Sequence, residues 1–184
     1  MRKIVAAEHV TLDGVTEAPE RWSFPYFNEE LGQEVGAAMA TADAMLMGRT
    51  TYEEWAAFWP NQDPEENQVA GYMNGVQKYV VSTTLEGPLE WQNSTLIEGD
   101  VPEEIEKLKQ REGGDIAISG SGALVRSLLR DGLLDELRLM VYPVVLGSGK
   151  RLFEEGGDQK DLELVDSKTF ATGVVYLTYR TADG

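Results

Sequence analysis

The chain has no cysteine and a single histidine, and these shortages exclude several kinds of chemistry. Without cysteine there is no disulfide, no thiolate nucleophile and no thiolate metal site, a composition compatible with a reducing compartment. A two-histidine metal site cannot form within one chain, and no metal is expected. The one histidine, His9, lies in the first predicted strand, where a partly buried strand residue or a pocket wall is expected more than a general base.

Positive charge and long apolar runs are also scarce. The sequence has 16 Lys and Arg against 32 Asp and Glu, a formal net charge of −16. Such a charge opposes non-specific binding to nucleic acid and to anionic membrane surfaces. No stretch approaches the roughly 20 apolar residues of a membrane span. We therefore expect a cytoplasmic protein with neither nucleic acid nor membrane as a partner.

Predicted strands and helices alternate along the chain. Helix starts are indicated at Asn28, at Thr50 or Thr51, at Asp100 and after the glycines near 120, with a polar loop before residue 78. A terminal hairpin is expected to turn near 171–173. This order predicts one α/β domain, residues 1–184, with a mostly parallel sheet, helices on both faces and an antiparallel edge. The first predicted strand starts with residues 2–7 and breaks at 11–14, and the other predicted strands cover 44–47, 78–82, 94–97, 116–118, 137–145, 162–170 and 174–179.

The segment 115–124, Asp-Ile-Ala-Ile-Ser-Gly-Ser-Gly-Ala-Leu, leads a short apolar strand through a glycine turn into a helix. Unpaired N–H groups at a helix N-terminus, together with the helix dipole, bind phosphate groups. Val125 stands where a dinucleotide-binding fingerprint would have its third small residue, so an ordinary tight turn is an equal alternative.

Five segments, in this order, resemble a known family. They look like the reductase domain of the bifunctional riboflavin-biosynthesis deaminase-reductases and, more closely, the stand-alone dihydrofolate-reductase-like proteins related to it. The segments are Thr-Leu-Asp-Gly at 11–14, Leu-Met-Gly-Arg-Thr-Thr-Tyr-Glu at 46–53, Ile-Ser-Gly-Ser-Gly-Ala-Leu at 118–124, Gly-Leu-Leu-Asp-Glu-Leu at 132–137 and Tyr-Pro-Val-Val-Leu-Gly-Ser-Gly at 142–149.

The resemblance implies a dihydrofolate-reductase-like three-layer fold, with a central eight-stranded mixed sheet, that binds NADPH and passes hydride to a small, possibly heterocyclic substrate. The guanidinium fork of Arg49 suits a 2′-phosphate, although an ion pair with Glu53 is the alternative. A homodimer is a further expectation. The implied cofactor residues are Gly48, Arg49, Thr50, Ser82, Thr83, Gly120, Ser121, Gly122, Ala123 and Leu124.

The family also places the substrate pocket between the first strand and the first helix, with additional contributions from the second helix. Asp13 ranks first among these residues and is the candidate catalytic residue, although Asp-Gly is a strong turn former whose carboxylate often binds local backbone. The aromatic residues could equally fill the core beneath a long loop. The implied pocket residues are Asp13, Trp22, Tyr26, Phe27, Trp55 and Phe58.

Hydride transfer needs a proton as well, and the sequence leaves its donor open among Asp13, Glu30, Glu34, Tyr142 and a bound water. The riboflavin enzymes carry a lysine in the first strand, where this chain reads Val-Ala-Ala-Glu-His at 5–9. An acidic residue there suits a ribityl phosphate poorly, which argues against a riboflavin-pathway reductase. Two alternatives are a non-catalytic nucleotide-binding module of the same fold and a doubly wound phosphate-ester enzyme, although the second lacks a P-loop signature and an activated nucleophile.

Overall fold

A computed structural model describes residues 1–181, so the last three residues of the predicted domain lie outside the described residues. Eight strands form one sheet in the order β4-β3-β2-β5-β1-β6-β8-β7, and β8 alone among them runs opposite to the other seven. The predicted mixed sheet with a C-terminal hairpin is confirmed. The strands are β1 (Ile4–Thr11), β2 (Ala42–Gly48), β3 (Gln77–Val81), β4 (Ser94–Ile97), β5 (Asp115–Ile118), β6 (Glu136–Tyr142), β7 (Leu162–Thr169) and β8 (Val175–Thr181).

Five helices cover the two faces of the sheet, because successive strand residues point to opposite sides. The helices are α1 (Glu29–Thr41), α2 (Arg49–Phe58), α3 (Gln68–Gly75), α4 (Val101–Lys109) and α5 (Gly122–Arg130). On one face α4 and α5 pack on Ile4, Ala6, Leu46 and Ile118. On the other face two separate clusters form, one around α1 and one around α2 and α3. A cavity lies in the space between those two clusters.

Three local expectations differ from the structure. Helix α2 begins at Arg49 with Gly48 at its N-cap, not at a threonine cap, because Thr51 is buried inside the first turn. Helix α3, capped by the Asn67 side chain, lies in the segment expected to be a polar loop. Strand β6 ends at Tyr142, not at 145, because Pro143 has no N–H to continue a ladder. None of the helices within 1–181 is long and apolar enough to cross a membrane.

A buried lysine fixes α3 to the sheet. The Lys78 ammonium donates hydrogen bonds to the carbonyls of Met73 at 2.9 Å and Val76 at 2.8 Å, near the C-terminus of α3. It also lies 4.4 Å from the ring centroid of Trp91. Burial lowers the pKa of Lys78 to about 8. The helix end and the ring replace the water that this ammonium loses.

Replacing Lys78 with methionine should therefore lower the free energy of unfolding by about 1–3 kcal/mol, because two buried carbonyls lose their donor. Urea denaturation measures the change. Lys3→Met, at an exposed position, is the matched control and should leave stability nearly unchanged. Equal stabilities for the two variants would contradict this role of Lys78.

Candidate functional site

A cleft of about 1050 Å³ runs along the carboxyl ends of four neighbouring parallel strands. Its floor includes Glu8 and His9 on β1, Gly48 at the end of β2, Val81 on β3 and Ser119 after β5. In open α/β sheets this edge binds ligands, at the point where successive crossover connections leave in opposite directions. Here β2 and β5 are neighbours, and the chain leaves β2 toward β3 but leaves β5 toward β6, in opposite directions along the sheet.

The two glycine turns predicted to hold a cofactor pack directly against each other in this cleft. A Cβ built on Gly48 would lie 2.7 Å from Oγ of Ser121, so the serine hydroxyl would have to move away from its present position. A Cβ on Gly120 would lie 3.6 Å from Oγ1 of Thr51. The absence of a side chain at Gly48 therefore leaves room for the Ser121 hydroxyl where the turn after β5 lies beside the turn after β2.

This packing brings the N-termini of α2 and α5 to one place. Neither helix has a side-chain cap at its N-terminus, so its first N–H groups are left for another acceptor. Gly120 and Ser121 both have left-handed backbone, with φ of 74° and 65°. For a serine this conformation costs about 1 kcal/mol, which the local packing holds in place. The two helix ends together form a backbone site suited to an anion.

Eight of the ten expected cofactor residues line this cleft. The Ser82 hydroxyl instead accepts hydrogen bonds from the N–H groups of Thr84 and Leu85, and neither Ser82 nor Thr83 lines the cleft. Arg49 lines it, but its Nη1 also lies 4.0 Å from Oε1 of Glu53, with both side chains about half exposed. A pair at this distance and exposure contributes little free energy, so Arg49 can turn toward a ligand. The eight are Gly48, Arg49, Thr50, Gly120, Ser121, Gly122, Ala123 and Leu124.

Several cleft residues were missed by sequence reasoning. Arg126 comes from α5, and Lys150 and Arg151 come from the loop after β6, which an isolated bridge between Val15 and Arg151 brings alongside the first loop. The sequence gives no local signal for that bridge. Basic and acidic residues in the lining are nearly balanced, whereas the whole chain has twice as many acids as bases. The basic ones are Arg21, Arg49, Arg126, Lys150 and Arg151, and the acidic ones are Glu8, Glu17, Glu20, Glu54, Asp131 and Glu154.

Glu8 is the most unusual residue in the cleft. It is only 3% exposed, on the face of β1 that carries Ile4 and Ala6, and its Oε1 has no hydrogen-bond partner among the described residues. Burial raises its pKa to about 8, and hydrogen bonding to the Gly120 backbone opposes that rise. The carboxyl is therefore neutral at neutral pH, next to the turn that would hold an anion. An acidic residue at a core-facing position of an apolar strand was the sequence signal for it.

His9 points to the opposite face of β1 and forms a pair with Tyr142. Nδ1 of His9 lies 2.8 Å from the Tyr142 hydroxyl, which is fully buried. Burial lowers the pKa of His9 to about 4 and raises the pKa of Tyr142 to about 12. Both groups are thus uncharged at neutral pH, and His9 is a neutral wall of the site. Within residues 1–181, no three His, Asp or Glu side chains are grouped so that they could hold a metal ion.

Asp13 lies outside the cleft. Its carboxylate accepts hydrogen bonds from the Thr11 hydroxyl at 2.5 Å, from the Leu146 N–H at 3.2 Å and from the Gly147 N–H at 2.8 Å. The Thr11 bond is the main reason that the pKa of Asp13 falls to about 2, with the Gly147 bond next. The carboxylate therefore ties the loop after β1 to the loop after β6. This geometry favours the turn role of Asp13 over contact with a substrate.

A second cavity, of about 240 Å³, lies between the sheet and helices α1, α2 and α3, and Trp55 is the one expected substrate-pocket residue that lines it. Trp22 and Tyr26 instead pack edge-on against Tyr142. Phe27 packs beside Gly32 on α1, and Phe58 lies half-exposed against Trp59. These four aromatic side chains line neither cavity, which favours packing as their role. His9, Trp55 and Ser119 line both cavities, so the two spaces meet there.

The two acidic candidates on α1 have other partners. Glu30 accepts hydrogen bonds from the Asn28 side chain at 3.0 Å and from the Ala171 N–H at 3.1 Å. Glu34 forms an ion pair with Lys168 at 2.6 Å. Both contacts connect α1 to its surroundings away from the two cavities.

The protein thus has an open α/β sheet, two helix N-termini at its switch point and an apolar cavity beside the cleft. In proteins of this class, small-molecule sites are found at the carboxyl ends of the strands. The chain belongs to the RibD C-terminal domain family, whose pattern matches residues 2–176. It is 33% identical to the uncharacterized protein YyaP of Bacillus subtilis strain 168. The alignment extends over 182 residues and covers 97% of this chain and 94% of that protein.

Solved structures share the fold. A putative riboflavin biosynthesis protein from Shewanella sp. PV-4 superposes with a TM-score of 0.77 at 21% identity, covering 97% of this chain and 98% of that one. Dihydrofolate reductase from Enterococcus faecalis, solved as a complex with NADP(H) and RAB-propyl, superposes with a TM-score of 0.65 at 17% identity, covering 98% and 96%. The predicted dihydrofolate-reductase-like fold is confirmed, and family membership supports a reductase-type function.

Glu8 generates a prediction about pH and stability. A carboxyl whose pKa is raised on folding contributes fully below its unfolded pKa of about 4.5, and that contribution is lost as pH rises to about 8. The loss is at most about 1.4 kcal/mol per pH unit. Because glutamine does not titrate, the stability of Glu8→Gln relative to wild type should rise from about pH 5 to about pH 8.

Urea denaturation of both proteins across this pH range measures the difference. Folding lowers the pKa of His9, so its contribution to stability depends on pH in the opposite direction. This contribution is the same in both proteins and cancels in the comparison. Parallel stability curves would mean that Glu8 titrates normally.

Proposed function

We propose that this protein is an NADPH-dependent reductase that transfers a hydride to a small molecule. The observation that carries the proposal is the contact between the two strand-end turns, because it places two free helix N-termini beside each other at the centre of a dinucleotide-sized cleft. A pyrophosphate needs such a concentration of N–H donors with no side chain in the way. The reduced nicotinamide, when bound, supplies the hydride.

The residues of the cleft fit a dinucleotide in three respects. Gly48 and Gly120 let a ligand approach the backbone, and Ser121 is held in a left-handed conformation that opens α5 toward the cleft. Arg49, free of any short ion pair, supports a 2′-phosphate and hence NADPH over NADH. The near balance of charge in the lining offsets the strongly acidic character of the chain, which would otherwise repel an anion.

The reacting end of the site is proposed to lie where the two cavities meet. His9, Trp55 and Ser119 line both spaces, so a substrate in the apolar cavity and a cofactor in the cleft can come together only there. The pair formed by His9 and Tyr142 is neutral and hydrogen-bonded, which holds the imidazole in one orientation at this point. Enclosure by Trp55 limits the access of water to the reacting atoms.

Binding is the direct test. We expect NADPH to quench the tryptophan fluorescence of the wild-type protein saturably, and to bind more tightly than NADH. Gly48→Ala should weaken NADPH at least about tenfold, because the new methyl group displaces the Ser121 hydroxyl and occupies space at the backbone where the phosphates would bind. Arg49→Ala should remove most of the preference for NADPH over NADH.

Two further variants serve as controls. Gly36→Ala makes the same substitution on α1, where a Cβ would meet nothing within 4 Å, and should bind normally. Ser121→Gly removes the clashing hydroxyl at a left-handed position, so the Gly48→Ala/Ser121→Gly double variant should regain much of the affinity. No saturable binding to wild type would defeat the proposed function, and normal binding by Gly48→Ala would defeat the phosphate site.

We also infer a homodimer, on the family resemblance and on one exposed apolar patch. Leu12 and Val145 are 64% and 69% exposed, and the Leu12 N–H donates to the Val144 carbonyl at 2.9 Å, so the two loops lie together. Light scattering should give twice the chain mass at micromolar concentration, and Val145→Glu should shift it toward the monomer mass. A wild-type monomer would reject the inference.

A further inference from the structure

The apolar cavity is large enough for one substituted ring or two fused rings. Its volume is about 240 Å³, and an apolar cavity of about 150 Å³ holds a benzene ring. It lies between the sheet and the helices α1, α2 and α3, in the gap between the two separate core clusters on that face. The gap exists because those clusters pack around different helices.

The walls of the cavity are suited to a flat apolar molecule. Trp55, Trp59 and Tyr72 supply aromatic surface, and four methionines supply side chains that adapt to irregular shapes. The indole N–H of Trp59 is buried and has no partner within the described residues, which leaves one donor for an acceptor atom of a ligand. The methionines are Met39, Met45, Met73 and Met140.

The cavity offers little positive charge to an anionic group. Arg138 is the one arginine or lysine in its lining, and its Nε already binds Oε1 of Glu136 at 2.6 Å, with both side chains largely buried. His9 is neutral at neutral pH, as its lowered pKa of about 4 requires. Asp115, also in the lining, would repel an anion. A phosphate or carboxylate in this space would therefore have as its one positive neighbour an arginine already paired with Glu136, which disfavours it relative to a neutral ligand.

We propose that the substrate of the reductase is an uncharged, largely apolar ring compound that occupies this cavity and reaches the cofactor cleft at His9, Trp55 and Ser119. The inference rests on the proposed function and extends it from a small molecule of unstated kind to a chemical class. It excludes ribityl phosphates and other phosphorylated substrates on the charge and lining of this cavity. It also agrees with Ala7, a small neutral residue, facing the cavity from β1.

Two fluorescent probes of similar shape, each with two fused rings, test the proposal. Dansyl amide is neutral, whereas dansyl sulfonate carries one negative charge, and both brighten in apolar surroundings. The wild-type protein should bind the neutral probe saturably and at least about tenfold more tightly than the sulfonate, because the cavity cannot neutralise the charge.

Variants locate the probe. Ala38→Trp should fill the cavity from α1 and weaken the neutral probe at least about tenfold, and Ala117→Leu should have the same effect from β5 if the tryptophan variant folds poorly. Ala37→Trp, on the exposed side of α1, is the matched control and should bind normally. NADPH affinity, measured on the same proteins, should be unchanged.

The outcomes separate this inference from the proposed function. Equal affinity for the two probes, or no effect of both cavity-filling variants, would overturn the neutral-substrate class while NADPH binding stands. Absence of NADPH and NADH binding to the wild type, with the probe pattern intact, would instead overturn the assignment of the cavity to a reductase substrate.

Discussion

The close approach of Gly48 to Ser121 is the contact on which the proposed site depends. These residues come from turns about seventy positions apart, at the ends of β2 and β5, and the sheet makes the two strands neighbours. With no side chain at Gly48, the turns pack together and two helix N-termini face one cleft. A larger residue at Gly48 would displace the Ser121 hydroxyl and narrow the space between the turns. Helix dipoles act only over the first turn, so a small separation would weaken the site disproportionately.

The burial of polar groups divides the molecule into regions with different electrostatic roles. Although the chain has a net charge of −16, the interior of its site is neutral. Glu8 keeps its proton, His9 is uncharged, and Arg138 is paired with Glu136. Charges of both signs remain in the wide cleft, where water can solvate them. The charged residues that line the narrow cavity are Arg138, which is paired with Glu136, and Asp115. This separation favours a charged ligand in one space and an uncharged ligand in the other.

The loop after β1 illustrates why motif residues can be essential without touching a ligand. Asp13 ties this loop to the loop after β6, and the bridge between Val15 and Arg151 continues the connection. Lys150 and Arg151 reach the cleft because of these contacts. A substitution at Asp13 would therefore act on the site through the position of a neighbouring loop, which is consistent with its place in a family motif.

The sequence by itself determined the class of the fold, the hairpin at its end and the two glycine turns, because these depend on local periodicity, strand–helix order and turn chemistry. The acidic residue Glu8 was visible in the first strand, but its burial and raised pKa depend on the tertiary structure. Only the tertiary structure decided that Asp13 binds a distant loop, that Ser82 binds its own backbone, and that Trp55, not Trp22, reaches both cavities. A residue type fixes which bonds a side chain can make. The choice among partners far apart in the chain depends on the packing that brings them together, and no local pattern records it.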